Sequence, residues 1–216
     1  MTGVVATLRL GGIVLCGGES RRMGRPKAWL RFGDEYLLQR VVRIVDQVAE
    51  PVVIATRPNM KLPALKPACS FVYDRQDHAG PLAGIAAGMT ALREECDAVL
   101  VSPCDHPFIN PEVLLRMVQS LGGHQGVAPE RNGMTIPTLA VYRLSTLPLL
   151  QEMLRTGERR AQVFAKTCGA LRLDHTKLAD IDPDLCYLSN LNEPEAYASA
   201  LNEVSARPAK GISCAL

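Results

Sequence analysis

Between Leu15 and Lys27 the chain reads Leu-Cys-Gly-Gly-Glu-Ser-Arg-Arg-Met-Gly-Arg-Pro-Lys. This is the composition of an anion-binding loop. Gly17, Gly18 and Gly24 permit tight turns and let backbone N–H groups approach a ligand closely. Arg21, Arg22, Arg25, Lys27 and Arg31 supply positive charge against Glu19. The apolar run Ile13-Val14-Leu15 precedes the loop and an amphipathic segment follows it, which puts the loop where a first strand passes into a first helix. Phosphates collect at such carboxyl ends of strands.

Two familiar phosphate loops are excluded by spacing. A Walker A loop needs Gly-Lys-Ser/Thr five residues after its first glycine. Here Arg22 and Met23 fall at that distance from Gly17 and Gly18, and Gly24 is followed by Arg25. The dinucleotide fingerprint GxGxxG fails because Gly17 and Gly18 are adjacent.

Further candidates lie at strand ends. In Ser102-Pro-Cys-Asp-His-Pro107, Asp105 follows an apolar run and is not needed as a helix cap, since Asn110 fills that role. One carboxylate there suits Mg2+, which is usually held by one or two carboxylates plus phosphate oxygens; Mn2+ is a possible substitute. His106 reads as a residue that packs or caps locally. In Gly80-Pro-Leu-Ala-Gly84, followed by Gly88, two glycines inside a helix cost about 1 kcal/mol each relative to alanine. Close packing on a sheet and contact with a ligand explain that cost about equally well. Asp74 ends Phe71-Val72-Tyr73, where turn formation is the competing explanation. Arg159 and Arg160 after Gly157 form an anion grip or a solvated pair. Asn190 and Asn192, two apart, point the same way if the segment is extended, and their amides could hydrogen-bond a heterocycle.

The pattern GG-x-S-x-RMG-x-x-K resembles the signature of the nucleotidyltransferases that include the molybdenum cofactor guanylyltransferases, and the resemblance runs from about Ile13 to about Tyr197. It implies a nucleotide-diphospho-sugar transferase-like fold. It also implies a nucleotide site formed by Leu15, Cys16, Gly17, Gly18, Ser20, Arg21, Gly24, Lys27, Asp74, Gly80, Pro81, Leu82, Gly84 and Asp105. Lys27, Arg22 and Asp105 would be catalytic, with Asp105 the Mg2+ ligand. Gly-Glu-Arg-Arg160 and Asn190-Leu-Asn-Glu-Pro194 resemble the part of the family that holds a pterin, which assigns that role to Arg159, Arg160, Asn190 and Asn192. The implied reaction transfers GMP from GTP to the terminal phosphate of molybdopterin and releases pyrophosphate. Molybdoenzyme apoproteins are possible partners. One departure concerns the base: where the family commonly carries an asparagine after the second strand, this chain has Ile54-Ala55-Thr56-Arg57. The Gly17-Gly18 pair favours GTP, since related cytidylyltransferases usually have alanine before a single glycine. A cytidylyl or sugar-phosphate nucleotidyltransferase, and a cofactor-delivery adaptor without catalysis, stay open as alternatives.

These residues need a scaffold, and the rest of the chain supplies one. Short apolar runs alternate with amphipathic segments, the pattern of a Rossmann-like three-layer α/β/α domain with a mostly parallel sheet. Strands are expected at Gly12–Cys16, Val52–Thr56, Ser70–Tyr73, Ala98–Ser102 and Thr138–Tyr142. Helices are expected from the spacing of Leu37, Leu38, Val41, Val45 and Val48, and of Val113, Leu114, Met117, Val118 and Leu121, with Asn110-Pro111 opening the second. One domain over residues 8–204 and a loose tail from 205 to 216 are expected. A chain of 216 residues with 47% hydrophobic and 21% charged residues and a net charge of +2 gives no sign of nucleic acid or membrane as partner. The seven cysteines contain no CxxC pair, so most read as small buried residues in a reducing, cytoplasmic setting.

Overall fold

The computed structural model describes residues 8–17, 26–66, 68–73 and 80–206. In chain order the elements are β1 (Leu10–Cys16), β2 (Arg31–Phe32), β3 (Glu35–Tyr36), α1 (Leu37–Val45), β4 (Val52–Thr56), β5 (Ser70–Tyr73), α2 (Gly80–Leu92) and β6 (Ala98–Pro103). There follow α3 (Pro111–Gln119), β7 (Gly126–Arg131), β8 (Met134–Thr135), β9 (Ala140–Arg143), α4 (Leu147–Arg155), α5 (Ala161–Thr167), β10 (Leu171–Asp174) and α6 (Pro194–Ala206).

The main sheet runs β10-β7-β9-β6-β1-β4-β5, with β8 paired to β7, and β2–β3 form a separate hairpin. β1 sits between β6 and β4 and is parallel to both. β9 is antiparallel to β6 and to β7, while β10 is parallel to β7. The sheet is thus mostly parallel, as expected from the sequence, with β9 as the antiparallel insertion.

Alternation along each strand divides the core into two layers. Val14, Cys16, Ala98 and Leu100 face α1 and α3 together with Leu38, Val41, Val113 and Met117. Ile13, Val99, Val101 and Tyr142 face the other way, against Leu82, Ile85 and Met89 of α2, Leu150 of α4 and Phe164 of α5. Both faces of the central strands are covered, which is why they read as continuous apolar runs. A smaller cluster of Leu30, Phe32, Leu37, Phe108, Cys186 and Leu191 joins the β2–β3 hairpin to the segment before α6.

β4 and β5 have the expected bounds. β1 begins two residues before Gly12, β6 extends to Pro103, and β9 is shifted forward from the expected Thr138 start to Ala140. α3 opens as expected: the Asn110 side chain accepts from Glu112 N–H at 2.8 Å, with Pro111 in the first turn. α6 continues to Ala206, two residues past the expected end of the domain at 204. No helix among the described residues is long and apolar enough to cross a membrane.

Candidate active site

β1 and β6 deliver two segments side by side at the carboxyl edge of the sheet. The backbone N–H of Cys104 donates to Leu15 O at 3.0 Å, so the β1–β6 pairing continues into the turn that carries Asp105. After β1, a short 3-10 turn at Lys27–Trp29 returns the chain to the same edge. There Lys27 Nζ meets Asp105 Oδ2 at 2.6 Å, with each side chain 17% exposed. Lys27 Nζ also donates to Asn192 Oδ1. Asn192 is held in place by its neighbour, because the backbone N–H of Leu191 donates to Asp105 O at 3.0 Å and the Leu191 side chain is buried.

A lysine, a carboxylate and an amide from three distant parts of the chain therefore converge on one point. The sequence identified all three, but it grouped Asn192 with the pterin contacts. Asn192 contacts Lys27, while Asn190 is exposed.

Two side chains support the Asp105 turn: Arg40, which was not singled out from sequence, and His106, which was read as packing or capping locally. Arg40 of α1 donates from Nε to Pro107 O at 2.6 Å and from Nη1 to Glu35 Oε1 at 3.1 Å. Its guanidinium lies 5.0 Å from the centre of the Phe32 ring. Burial pulls the Arg40 pKa down and Glu35 pulls it back up. A signal was present: Arg40 stands three residues after Leu37 and four before Ile44, a charge on the apolar stripe of α1. The second support is His106, buried, with Nδ1 3.2 Å from Tyr187 O. Burial lowers its pKa against the opposing pull of Asp105, as suits an imidazole that fastens the loop.

Cys16 and Cys104 are both buried. A hydrogen bond with Cys16 and then burial hold the Cys104 thiol protonated. Around this site Cys16 can offer a ligand only its backbone, and Leu15 is half-buried.

The opening of α2 carries exposed and buried residues side by side. Gly80 (φ +69°) and Pro81 are exposed and stand free to meet a ligand. Leu82 is fully buried, and a Cβ on Gly84 would lie 3.2 Å from Leu15 Cδ2 and 3.4 Å from Ala55 Cβ. Both residues face the sheet and set the helix-to-sheet distance. At Gly88 a Cβ would lie 2.6–2.8 Å from three side-chain atoms of Ile13, which gives this glycine the same explanation.

The arginine pair is likewise largely engaged. Arg160 meets Glu158 at 2.6 Å; that hydrogen bond and the backbone N–H groups of Arg160 and Arg159 lower the Glu158 pKa to about 2. Arg159 Nη1 donates to Leu154 O at 2.7 Å and to Glu158 O at 3.1 Å, closing the end of α4. The turn lies beside the start of α2, since Arg159 O would lie 3.4 Å from a Cβ on Gly80. Gly18, Ser20, Arg21, Arg22, Gly24 and Asp74 lie outside the described residues.

Among the described residues no three His, Cys, Asp or Glu side chains gather as a metal cage. A single carboxylate is a donor set Mg2+ accepts when substrate phosphates supply the remaining oxygens.

Residues 12–173 match the family model for a MobA-like NTP transferase domain. The chain belongs to that family. It is 31% identical to a probable molybdenum cofactor guanylyltransferase of Methanosarcina mazei, over 85% of this chain and 86% of that one. It is 36% identical to a protein of the same name from Opitutus terrae, over 72% and 77% of the respective chains. Among solved structures it resembles molybdopterin-guanine dinucleotide biosynthesis protein A of Archaeoglobus fulgidus, with TM-score 0.75, 25% identity, and coverage of 91% of this chain and 100% of that one. A cytidylyltransferase from Thermus thermophilus shares the fold at TM-score 0.68 and 16% identity. The chain is a nucleotidyltransferase.

Proposed function

We propose that this nucleotidyltransferase transfers GMP from Mg2+·GTP to the terminal phosphate of molybdopterin, giving molybdopterin guanine dinucleotide and pyrophosphate. The observation that carries the reading is the Lys27–Asp105–Asn192 cluster at the β1/β6 edge, together with relatives whose names state that activity.

An oxygen of the pterin phosphate attacks the α-phosphorus while the bond to the departing pyrophosphate breaks. A phosphate monoester is already anionic near neutral pH, so the protein needs to supply no strong general base. Its work is positioning and charge stabilisation. Lys27 exchanges part of its contact with Asp105 for the phosphate oxygens, and Asn192 keeps the ammonium aimed during that exchange. Asp105 would hold Mg2+, which when bound neutralises charge on the phosphate oxygens. Arg40 and His106 keep the Asp105 turn in place. The exposed Asn190 and Arg160 are the groups left for the pterin side. Arg22 and the glycine-rich loop are assigned to the triphosphate from the sequence motif.

The test is pyrophosphate release by the purified protein with Mg2+ and molybdopterin, comparing GTP, CTP, ATP and UTP. Release with GTP alone is expected. Release with CTP alone would move the assignment to cytidylyl transfer, and GTP binding without release would leave a delivery adaptor.

A further inference from the structure

We infer that Tyr197 is a positioning residue of the transfer reaction: its hydroxyl, bonded to Arg31 O, fixes the segment that holds Asn192 against Lys27. This inference rests on the use of Lys27 in the reaction proposed above and adds a residue that acts through Asn192.

A lysine ammonium on a flexible four-carbon stem is aimed only by what grips it. Asp105 grips Lys27 from the turn after β6, and Asn192 grips it from the segment before α6. The two grips are supported differently. β6 is an interior strand, paired with both β1 and β9. Asn192 lies in irregular backbone between Leu188 and Pro194. Such a segment has no ladder of its own and keeps its place through the bonds at its two ends. On the side before Asn192 the bond is Leu191 N–H to Asp105 O at 3.0 Å.

On the side after it the bond is made by Tyr197, whose hydroxyl donates to Arg31 O at 2.6 Å. Arg31 begins β2, four residues beyond Lys27, and Tyr197 stands in the first turn of α6, five beyond Asn192. Backbone hydrogen bonds stiffen both stretches: Leu30 N–H donates to Lys27 O at 3.0 Å, and Tyr197 N–H to Glu193 O at 3.1 Å. Lys27–Arg31 and Asn192–Tyr197 are therefore two arms joined at both ends. One joint is the Lys27 ammonium with Asn192 Oδ1, and the other is the Tyr197 hydroxyl with Arg31 O.

Leu30, Phe32, Leu191 and Ala200 form the buried cluster beside these arms, and Tyr197 packs against it. Apolar burial draws the arms together but is non-directional. The hydroxyl supplies the direction, setting where α6 begins relative to β2 and hence where Asn192 meets the ammonium. Phenylalanine at this position would keep the ring and lose only the donor.

The experiment compares the full chain with Tyr197→Phe, Asn192→Ala and the double variant in two readouts. One is the rate of acetylation of the Lys27 amine by acetic anhydride, followed by mass spectrometry. The other is kcat/KM for GTP in pyrophosphate release with molybdopterin. Lys27, whose side chain is 17% exposed, should label about 5-fold faster in Tyr197→Phe, the factor that one net hydrogen bond provides. The same change should lower kcat/KM about 5-fold in the unaltered background and not at all beside Asn192→Ala, because the two residues act as one unit. A loss equally large beside Asn192→Ala would make Tyr197 a structural residue only and overturn the inference. So would unchanged Lys27 labelling in Tyr197→Phe. If the unaltered protein released no pyrophosphate with GTP, the guanylyl reading would fail, and the labelling would still decide whether Tyr197 holds Asn192 on Lys27.

Discussion

Replacing Arg40 by methionine separates the support of the Asp105 turn from the chemistry performed there. Arg40 makes a charged hydrogen bond to Pro107 O at 2.6 Å, the kind of bond that contributes about 1.5–3 kcal/mol. Its position over Phe32 at 5.0 Å adds about 0.5–1 kcal/mol. The ion pair with Glu35 is lost as well, but Glu35 keeps Arg43 at 2.7 Å, so little more is expected from that source. Methionine fills part of the space and recovers some apolar contact. The net loss is then about 2–3 kcal/mol, or roughly 5–10 °C in Tm for a chain of this size. The catalytic effect has another origin: a carboxylate displaced by about 1 Å costs about 100-fold in rate. The variant should therefore show kcat lowered by about 100-fold at 15 °C, where it remains folded, with KM for the nucleotide little changed. Arg40→Lys, which keeps a cation near Glu35 but loses the two-sided fork, should fall between. Thermal melts with steady-state kinetics on the same samples provide the assay. Reduced Tm with unchanged kcat would refute the claim that Arg40 positions the Asp105 turn.

Three further outcomes follow from particular contacts. Gly88→Ala should destabilise the protein by about 1–2 kcal/mol in urea titration, because overpacking against Ile13 outweighs the about 1 kcal/mol gained in helix propensity; in the Ile13→Ala background the same change should be neutral or stabilising. Lys27→Met should cost more stability than the double variant with Asp105→Asn, since the single change strands a largely buried carboxylate; a double loss equal to the sum of the two single losses would mean that the pair is independent. Glu158 has a pKa of about 2 against an ordinary 4.5, so its share of stability is present above pH 4.5 and is lost as pH falls from 4.5 toward 2. Glu158→Gln should therefore narrow that acid-limb loss in low salt, and an unchanged pH profile of the urea midpoint would show that the pair with Arg160 contributes nothing.

The parts of the fold legible in the sequence are those where one pattern dominates. β4 and β6 are buried on both faces, so their apolar runs stand out, and Asn110-Pro111 carries its own start signal. The β2–β3 hairpin has two residues per strand, too short for any alternation. β7 contains Pro129 and ends on Glu130-Arg131, and β10 interrupts its apolar residues with charges; both are defined by pairing with distant strands. The site was legible where chemistry demanded rare residues in a fixed motif, at Lys27 and Asp105. It was not legible where distant segments fold onto it. Asn192 reaches Lys27 because its neighbour Leu191 is tied to Asp105 O, a bond between segments far apart in the chain. Leu82 and Gly84 stand out in a motif, and the helix buries Leu82 in the core and turns Gly84 onto Leu15 and Ala55.

The central claim is most directly tested by following the label from α-32P-GTP and γ-32P-GTP, in parallel, after incubation with molybdopterin, Mg2+ and the purified protein. The account predicts α-label in the pterin product, γ-label in pyrophosphate, and loss of both transfers in Asp105→Asn, with circular dichroism unchanged. Pterin that stays unlabelled while the protein binds GTP, or transfer that survives Asp105→Asn undiminished, would contradict it.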